Sequence, residues 1–210
     1  EPYATPKLGF QLTSSDGIKT VYARYRDSAG STSDCLSTAI ILDQTAPVVG
    51  LNTLFDAHAV MAPAYSFSGT CSEDGRPVDW SMGGATNGTT SCSSGTFFVS
   101  GVNITAVADG TVTLVATQTD VAGNTSSNSR TFIKDTVAPT ISITSPMVNG
   151  FLNIMNQNAL PVSGVCSENV QQVEIRLNAS IVGSTPCVGG VFSAPVNVSA
   201  FPDGGHTLQA

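Results

Sequence analysis

The stretch TVTLVATQTDVAGNTSSNSRTFIKDTVAPTI, Thr111–Ile141, decides the reading of this chain, because the same succession of residues occurs earlier as Lys19–Val49. In both copies an alternating strand runs into an aspartate, Asp27 or Asp120, followed by Ala29-Gly30 or Ala122-Gly123. A second strand then closes at Asp43 or Asp135 and is followed by Ala46-Pro47 or Ala138-Pro139. Asp-Gly turns precede the first strand at Asp16-Gly17, Asp109-Gly110 and Asp203-Gly204, 93 and then 94 residues apart. Self-similarity at a fixed period is a statement about architecture.

The other half of the unit repeats as well. Ser-Gly-Thr-Cys-Ser-Glu at 68–73 is matched by Ser-Gly-Val-Cys-Ser-Glu at 163–168, and Cys71 and Cys92 are matched by Cys166 and Cys187, each 95 residues on. The 210 residues therefore divide unevenly. Residues 1–47 hold the C-terminal half of a repeat, 48–139 a complete one and 140–210 the N-terminal part of a third. The chain reads as a window cut from a longer tandem array, with missing strands expected from further chain or from a neighbouring molecule.

Within the units the apolar residues alternate. Val21, Ala23 and Tyr25 face one way and Tyr22, Arg24 and Arg26 the other; Tyr65, Phe67, Gly69 and Cys71 share a face, as do Val78, Trp80 and Met82. The aligned positions in the next unit are Leu160, Val162, Gly164 and Cys166, then Val173, Ile175 and Leu177. Period-2 alternation marks half-buried antiparallel strands. A short strand is also expected at Phe10 and Leu12, a loop over 52–63, and a Gly-rich hairpin over 83–90. Nothing reads as a helix. Seven short strands in about 93 residues, punctuated by turns, predict an all-β chain of tandem two-sheet sandwiches with Greek-key connections.

Composition narrows the function. With 15 acidic and 8 basic side chains, the net charge of −7 opposes binding to nucleic acid or anionic lipid. Charged residues make up 11% and apolar residues 41%, enough alternating hydrophobicity to build cores rather than remain disordered. No apolar run approaches the roughly 20 residues that span a bilayer, so no membrane insertion is expected in this segment. No signal peptide opens the sequence, and any export signal or anchor is expected outside it.

The motifs Asp109-Gly110, Asp120-Val-Ala-Gly-Asn124 and Asp135-Thr-Val-Ala-Pro139 resemble those of tandem Ig-like repeats in bacterial surface adhesins and other large exported proteins. The first unit has Ser31 where the pattern has Asn, and the third ends before the motif. The resemblance implies Ig-like seven-stranded sandwiches in an extracellular or cell-surface location. Its motifs specify architecture and say little about a ligand.

A matched cysteine pair in each of two units, with no C-x-x-C and no Cys/His cluster, reads as disulfides Cys71–Cys92 and Cys166–Cys187 in preference to metal ligands. Cys35 is left over; it pairs either with a residue in the absent half of its repeat or with another molecule. No catalytic motif is present, and His58 and His206 lie in a loop and beside a turn. The chain is not expected to be an enzyme.

Two readings of the repeated acids stay open. In one, they cap turns, where Asp-Gly and Ala-Gly-Asn supply positive φ. In the other, calcium sits at the junctions between repeats. The sandwich topology brings Asp16 and Asp43 towards Glu73, Asp74, Asp120 and Asn124 at the first junction, and Asp109, Asp135 and Glu168 together at the second. Ca²⁺ takes such hard oxygen ligands, and the resemblance implies stiffening by calcium at these places. The leading functional expectation is an adhesive stalk that spaces and stiffens, with neighbouring repeats, other copies in a fibre, or a host or prey surface ligand as partners. A glycan- or protein-binding module and an accessory region of a secreted enzyme are the alternatives.

Overall fold

The structure, a computed structural model, describes residues 11–147 and 150–210. They fall into two compact units, the first ending at Thr136 and the second beginning at Val137. Phe10 lies outside the described residues, and Gln11–Thr13 form no strand. Among the described residues no helix is long and apolar enough to cross a membrane.

The first unit opens with a hairpin, β1 (Gly17–Ala23) and β2 (Leu36–Leu42), registered Gly17↔Leu42 to Ala23↔Leu36. A two-sheet sandwich follows. One sheet orders β3 (Val49–Leu51), β5 (Tyr65–Cys71) and β8 (Thr96–Val102) as β3-β5-β8. The other takes β4 (Ala57–His58), β6 (Pro77–Met82), β7 (Thr86–Ser91), β9 (Gly110–Thr119) and β10 (Thr125–Asp135) in the order β4-β10-β9-β6-β7. The crossings from β5 to β6 and from β8 to β9 change sheet, as Greek-key sandwiches require.

Alternation puts the core where the sequence places it. Tyr65, Phe67, Cys71 and Phe97 of one sheet meet Val78, Trp80, Met82, Val112, Leu114, Ala116 and Phe132 of the other, all buried. Tyr65 and Phe132 stack at 4.7 Å between ring centroids, and Phe67 meets Trp80 edge-on at 5.4 Å. Each such aromatic pair contributes about 1 kcal/mol beyond its buried area.

Two loops are more structured than their composition indicates. Within 52–63, β4 pairs in parallel with β10 through Lys134↔Ala57 and Asp135↔His58, and Ile133 N donates to Asp56 at 2.7 Å. Within 83–90, β7 extends the sheet along β6 from Val78↔Thr90 to Met82↔Thr86. Its polar sequence TNGTTS faces solvent on an edge, so it carries no apolar alternation to announce it.

The second unit repeats the first half of this plan. β11 (Ile141–Ser145), β12 (Leu160–Cys166) and β15 (Val191–Val196) form one sheet; β13 (Gln172–Leu177), β14 (Ser180–Pro186) and β16 (Leu208–Gln209) form the other, ordered β14-β13-β16. Its core gathers Leu160, Val162, Val173, Ile175, Leu177, Phe192 and Val196.

One glycine is fixed by close approach. Gly69 pairs with Leu51 on one side and Phe97 on the other, and a Cβ there would fall against the Gly50 carbonyl oxygen and 2.5 Å from Phe97 Cε1. Gly164 meets Ser142 O and Phe192 in the same way. In each repeat an aromatic ring covers a cross-strand glycine, the arrangement that restores packing where a strand lacks a side chain.

Candidate functional site

The repeated acids are placed by turn and strand ends. Gly17 and Gly110 take φ of +115° and +117°, a region that only glycine enters freely, and this turns the preceding aspartate towards the end of the last strand. Asp109 accepts from Thr136 N at 3.0 Å and from the Thr136 hydroxyl at 2.8 Å, and Lys134 Nζ donates to it. Asp16 does the same work in the first hairpin, accepting from Gln44 N at 3.0 Å and the Thr45 hydroxyl at 2.5 Å. Lys134 is buried at 3% exposure and has Leu42 in the equivalent position. The Lys134 hydrogen bond, helped by Thr136, holds the Asp109 carboxyl down at about 2, from an ordinary 3.8.

Asp120 closes the Asp-Val-Ala-Gly-Asn loop. It accepts from Asn124 Nδ2 at 2.8 Å and Asn124 N at 2.9 Å, and the Asn124 amide is the leading cause that lowers its carboxyl below the usual range. Asp27 does likewise one repeat earlier, accepting from Ala29 N at 3.0 Å and Ser31 N at 2.8 Å. Arg76 clamps the loop from beneath, donating to Thr119 O and to Asp120 O at 2.9 Å.

The same loop and the start of β10 join the first hairpin to the following sandwich. Asn124 Nδ2 donates to Asp43 O at 3.1 Å and the Ser126 hydroxyl to Pro47 O at 2.6 Å. Asp43 accepts from Thr45 N at 3.1 Å. Asp16, Asp43, Asn124 and Asp120 thus lie along one connected run of hydrogen bonds. Glu73 enters through its backbone, which exchanges bonds with the fully buried Gln118. Asp74 accepts from Gly95 N at 2.8 Å. Asp135 ends β10, beside the residues that hold Asp109. Glu168, in the second unit, accepts from the Ser167 hydroxyl at 3.3 Å.

Whether these residues fit calcium turns on which oxygens are free. Those of Asp16, Asp109 and Asp120 are taken by protein donors, and at Asp109 an ammonium stands where a cation would. Among the described residues no three or more His, Cys, Asp or Glu side chains group as a metal site. As arranged, the carboxylates of Asp16, Asp109 and Asp120 serve their own turns rather than a calcium ion. His58, expected in a loop, ends β4, where its Nδ1 accepts from Val60 N at 3.3 Å, and His206 lies 2.6 Å from Asn178 Nδ2 and 2.7 Å from Pro202 O.

The cysteines link the two sheets of each sandwich. Cys71, ending β5, is bonded to Cys92 beyond β7, and Cys166 to Cys187, each with a sequence separation of 21. Cys35 is an exposed free thiol. Gln118, Arg76 and Lys134 escape a motif-based reading. The available signal is a polar residue at an inward position: Gln118 follows Leu114 and Ala116 in alternation, and Lys134 follows Phe132.

No protein-family model matches the chain, and no curated protein matches it. Among solved structures it is similar to a Ca²⁺-stabilized adhesin that helps an Antarctic bacterium reach out and bind ice, at 22% identity and TM-score 0.43 over 87% of this chain and 49% of that one. It is similar also to a tetra-tandem repeat in the extending region of a large adhesion protein, at 24% identity and TM-score 0.42 over 92% of this chain and 52% of that one. A third likeness is to fibronectin(III)-like modules of CbhA from Clostridium thermocellum, at 14% identity and TM-score 0.38 over 70% of this chain and 77% of that one. The chain spans about half the length of the first two.

Proposed function

We propose that this chain is a stalk segment of a long extracellular or cell-surface repeat protein, an adhesin or fibre, which sets reach and stiffness rather than catalysing a reaction. The observation that carries this reading is the clasp: Asp16 and Asp109 each hook the segment leaving their repeat, and after the first hairpin Asn124 and Ser126 tie that segment to the following sandwich. Hydrogen bonds at a linker restrict bending between what would otherwise be beads on a string. Disulfides in both sandwiches suit an oxidising compartment. The repeated acids act in this reading as turn caps, and the repeats are each other's partners.

Single-molecule stretching of the whole chain tests the proposal. Each disulfide shields a loop of 21 residues whose ends stay 5.9 Å apart in the first unit, so reduction should lengthen each unfolding step by about 70 Å. Unfolding without a resolvable force peak, or with no lengthening after reduction, overturns the mechanical role.

A further inference from the structure

The last strand of the first sandwich carries polar residues where core residues are the rule. In β10 the alternate positions Ser126, Asn128 and Arg130 share the face of the buried Phe132. β10 is registered on β9 as β2 is on β1, with Gly110 opposite Lys134 where Gly17 stands opposite Leu42. In that register the hairpin has Leu36 and Thr38 in the places of Asn128 and Arg130. Strand pairing alone therefore does not call for an amide and a guanidinium at these positions.

What they reach is the chain entering the sandwich. β10 pairs with β4 only at Lys134 and Asp135, and before those residues its side chains bridge instead to the segment leading into β3. Asn124 Nδ2 donates to Asp43 O at 3.1 Å, and the Ser126 hydroxyl donates to Pro47 O at 2.6 Å. Asn128 Oδ1 accepts from Leu51 N at 3.3 Å, and Arg130 Nε donates to Leu51 O at 2.7 Å. The partners advance together along both segments, so 43–51 and 124–130 run in the same direction. Tension pulls the first back from its start and the second forward from its end. The two then slide past each other, and the four bonds are loaded together instead of one after another. β3 is also anchored to β5 at Val49↔Cys71 and Leu51↔Gly69, and the Cys71–Cys92 disulfide keeps that partner from being drawn out.

We infer that Asn124, Ser126, Asn128 and Arg130 form a load-bearing clamp between the segment entering this sandwich and the strand leaving it. The clamp rests on the stalk reading for its use, since only a tethered chain is pulled. Side-chain bonds at the rim of a sandwich add modestly to equilibrium stability because water competes for them. Along the pulling direction they stand across the first step of unfolding, where losing one acts wholly on the unfolding rate.

Magnetic tweezers test this on the 210-residue chain, held at constant force through the exposed Cys35 thiol and an Ala138→Cys handle. The load then passes through residues 43–135 and bypasses the second unit. Arg130→Ala and Asn128→Leu should each shorten the folded lifetime under force by about fivefold to tenfold, the worth of one hydrogen bond, and by more than they speed unfolding in urea. Asn128→Asp keeps the acceptor for Leu51 N and should hold the parent lifetime. Thr131→Ala, exposed on the other face of β10, should leave it unchanged. A sandwich that yields without a measurable lifetime overturns the stalk reading and the clamp together. A long lifetime that these substitutions do not shorten, equal factors under force and in urea, loss with Asn128→Asp as great as with Asn128→Leu, or equal shortening by Thr131→Ala overturns the clamp alone.

Discussion

Gly69→Ala should destabilise the first sandwich, against the ordinary direction of that substitution. In a strand with open space, alanine gains about 0.4–1 kcal/mol because it restricts the unfolded chain. Here the added carbon would lie 2.5 Å from Phe97 Cε1 and within the Gly50 carbonyl oxygen's contact distance. Ordinary carbon–carbon contact is about 3.5–4.0 Å, so roughly 1 Å must open. The Phe97 ring can rotate, but the Gly50 oxygen belongs to backbone held at Val49↔Cys71 and Leu51↔Gly69. Relief therefore shifts β3 off β5 and wets Val49 and Leu51, now 7% and 5% exposed. Overpacking of this kind costs about 1–3 kcal/mol, and partial loss of two buried side chains adds to it at about 1.5–3 kcal/mol for each one fully exposed. Subtracting the entropic gain leaves a loss of about 2–4 kcal/mol. For a repeat of this size that is a fall of about 10–25 °C in melting temperature. Trp80 is the chain's one tryptophan and lies in this sandwich, so urea unfolding followed by its fluorescence reads the effect locally. Gly164→Ala should leave that signal in place and show its loss in far-UV circular dichroism. An unchanged or raised midpoint for Gly69→Ala would refute the reasoning, and Phe97→Leu should rescue only partly, because the Gly50 oxygen remains.

Gln118→Ala removes the partner of the Glu73 N–H and carbonyl and leaves a void at a fully buried position, and should cost about 1–3 kcal/mol, read from the urea midpoint. Asp109, with its folded carboxyl held at about 2, contributes stability that is present above about pH 4 and lost as pH falls through about 2; Asp109→Asn should remove that contribution and flatten the acid limb between those values, measured by urea titration at several pH values. Cys71→Ser with Cys92→Ser should cost about 3 kcal/mol by the loop-entropy model for a 21-residue separation, checked by calorimetry with and without reductant. Because the oxygens of Asp16, Asp109 and Asp120 are taken by protein donors, a chelator should leave the melting temperature in place; a rise on adding Ca²⁺ that Asp43→Asn or Glu73→Gln removes would instead assign those acids to a cation.

How much was legible follows from which interactions leave a periodic trace. Val78, Trp80 and Met82 announce β6 because one face is buried and the other wet. The Asp-Gly and Ala-Gly-Asn turns announce themselves because positive φ demands particular residues. β4 and β7 leave no such trace: one is a two-residue parallel contact and the other a polar edge strand, and both exist because a neighbouring strand offers backbone partners. At the candidate site the repeated acids were legible as a set, while their occupation was not. Lys134 and Arg76 are ordinary cations in sequence, and only the fold brings one to Asp109 and the other to the Asp120 carbonyl.

The matching registers of β1–β2 and β9–β10 bear on how such a chain can change length over generations. A loss of residues 17–109, 93 in all, would join Asp16 directly to Gly110. The junction is still an Asp-Gly turn, the strand after it still pairs Gly110 with Lys134, and the carboxylate that once held Gln44 and Thr45 finds Thr136 instead. Unequal exchange between repeats at this dipeptide therefore adds or removes one whole module without creating a novel turn. Copy number becomes a heritable trait that selection can adjust separately from the fold.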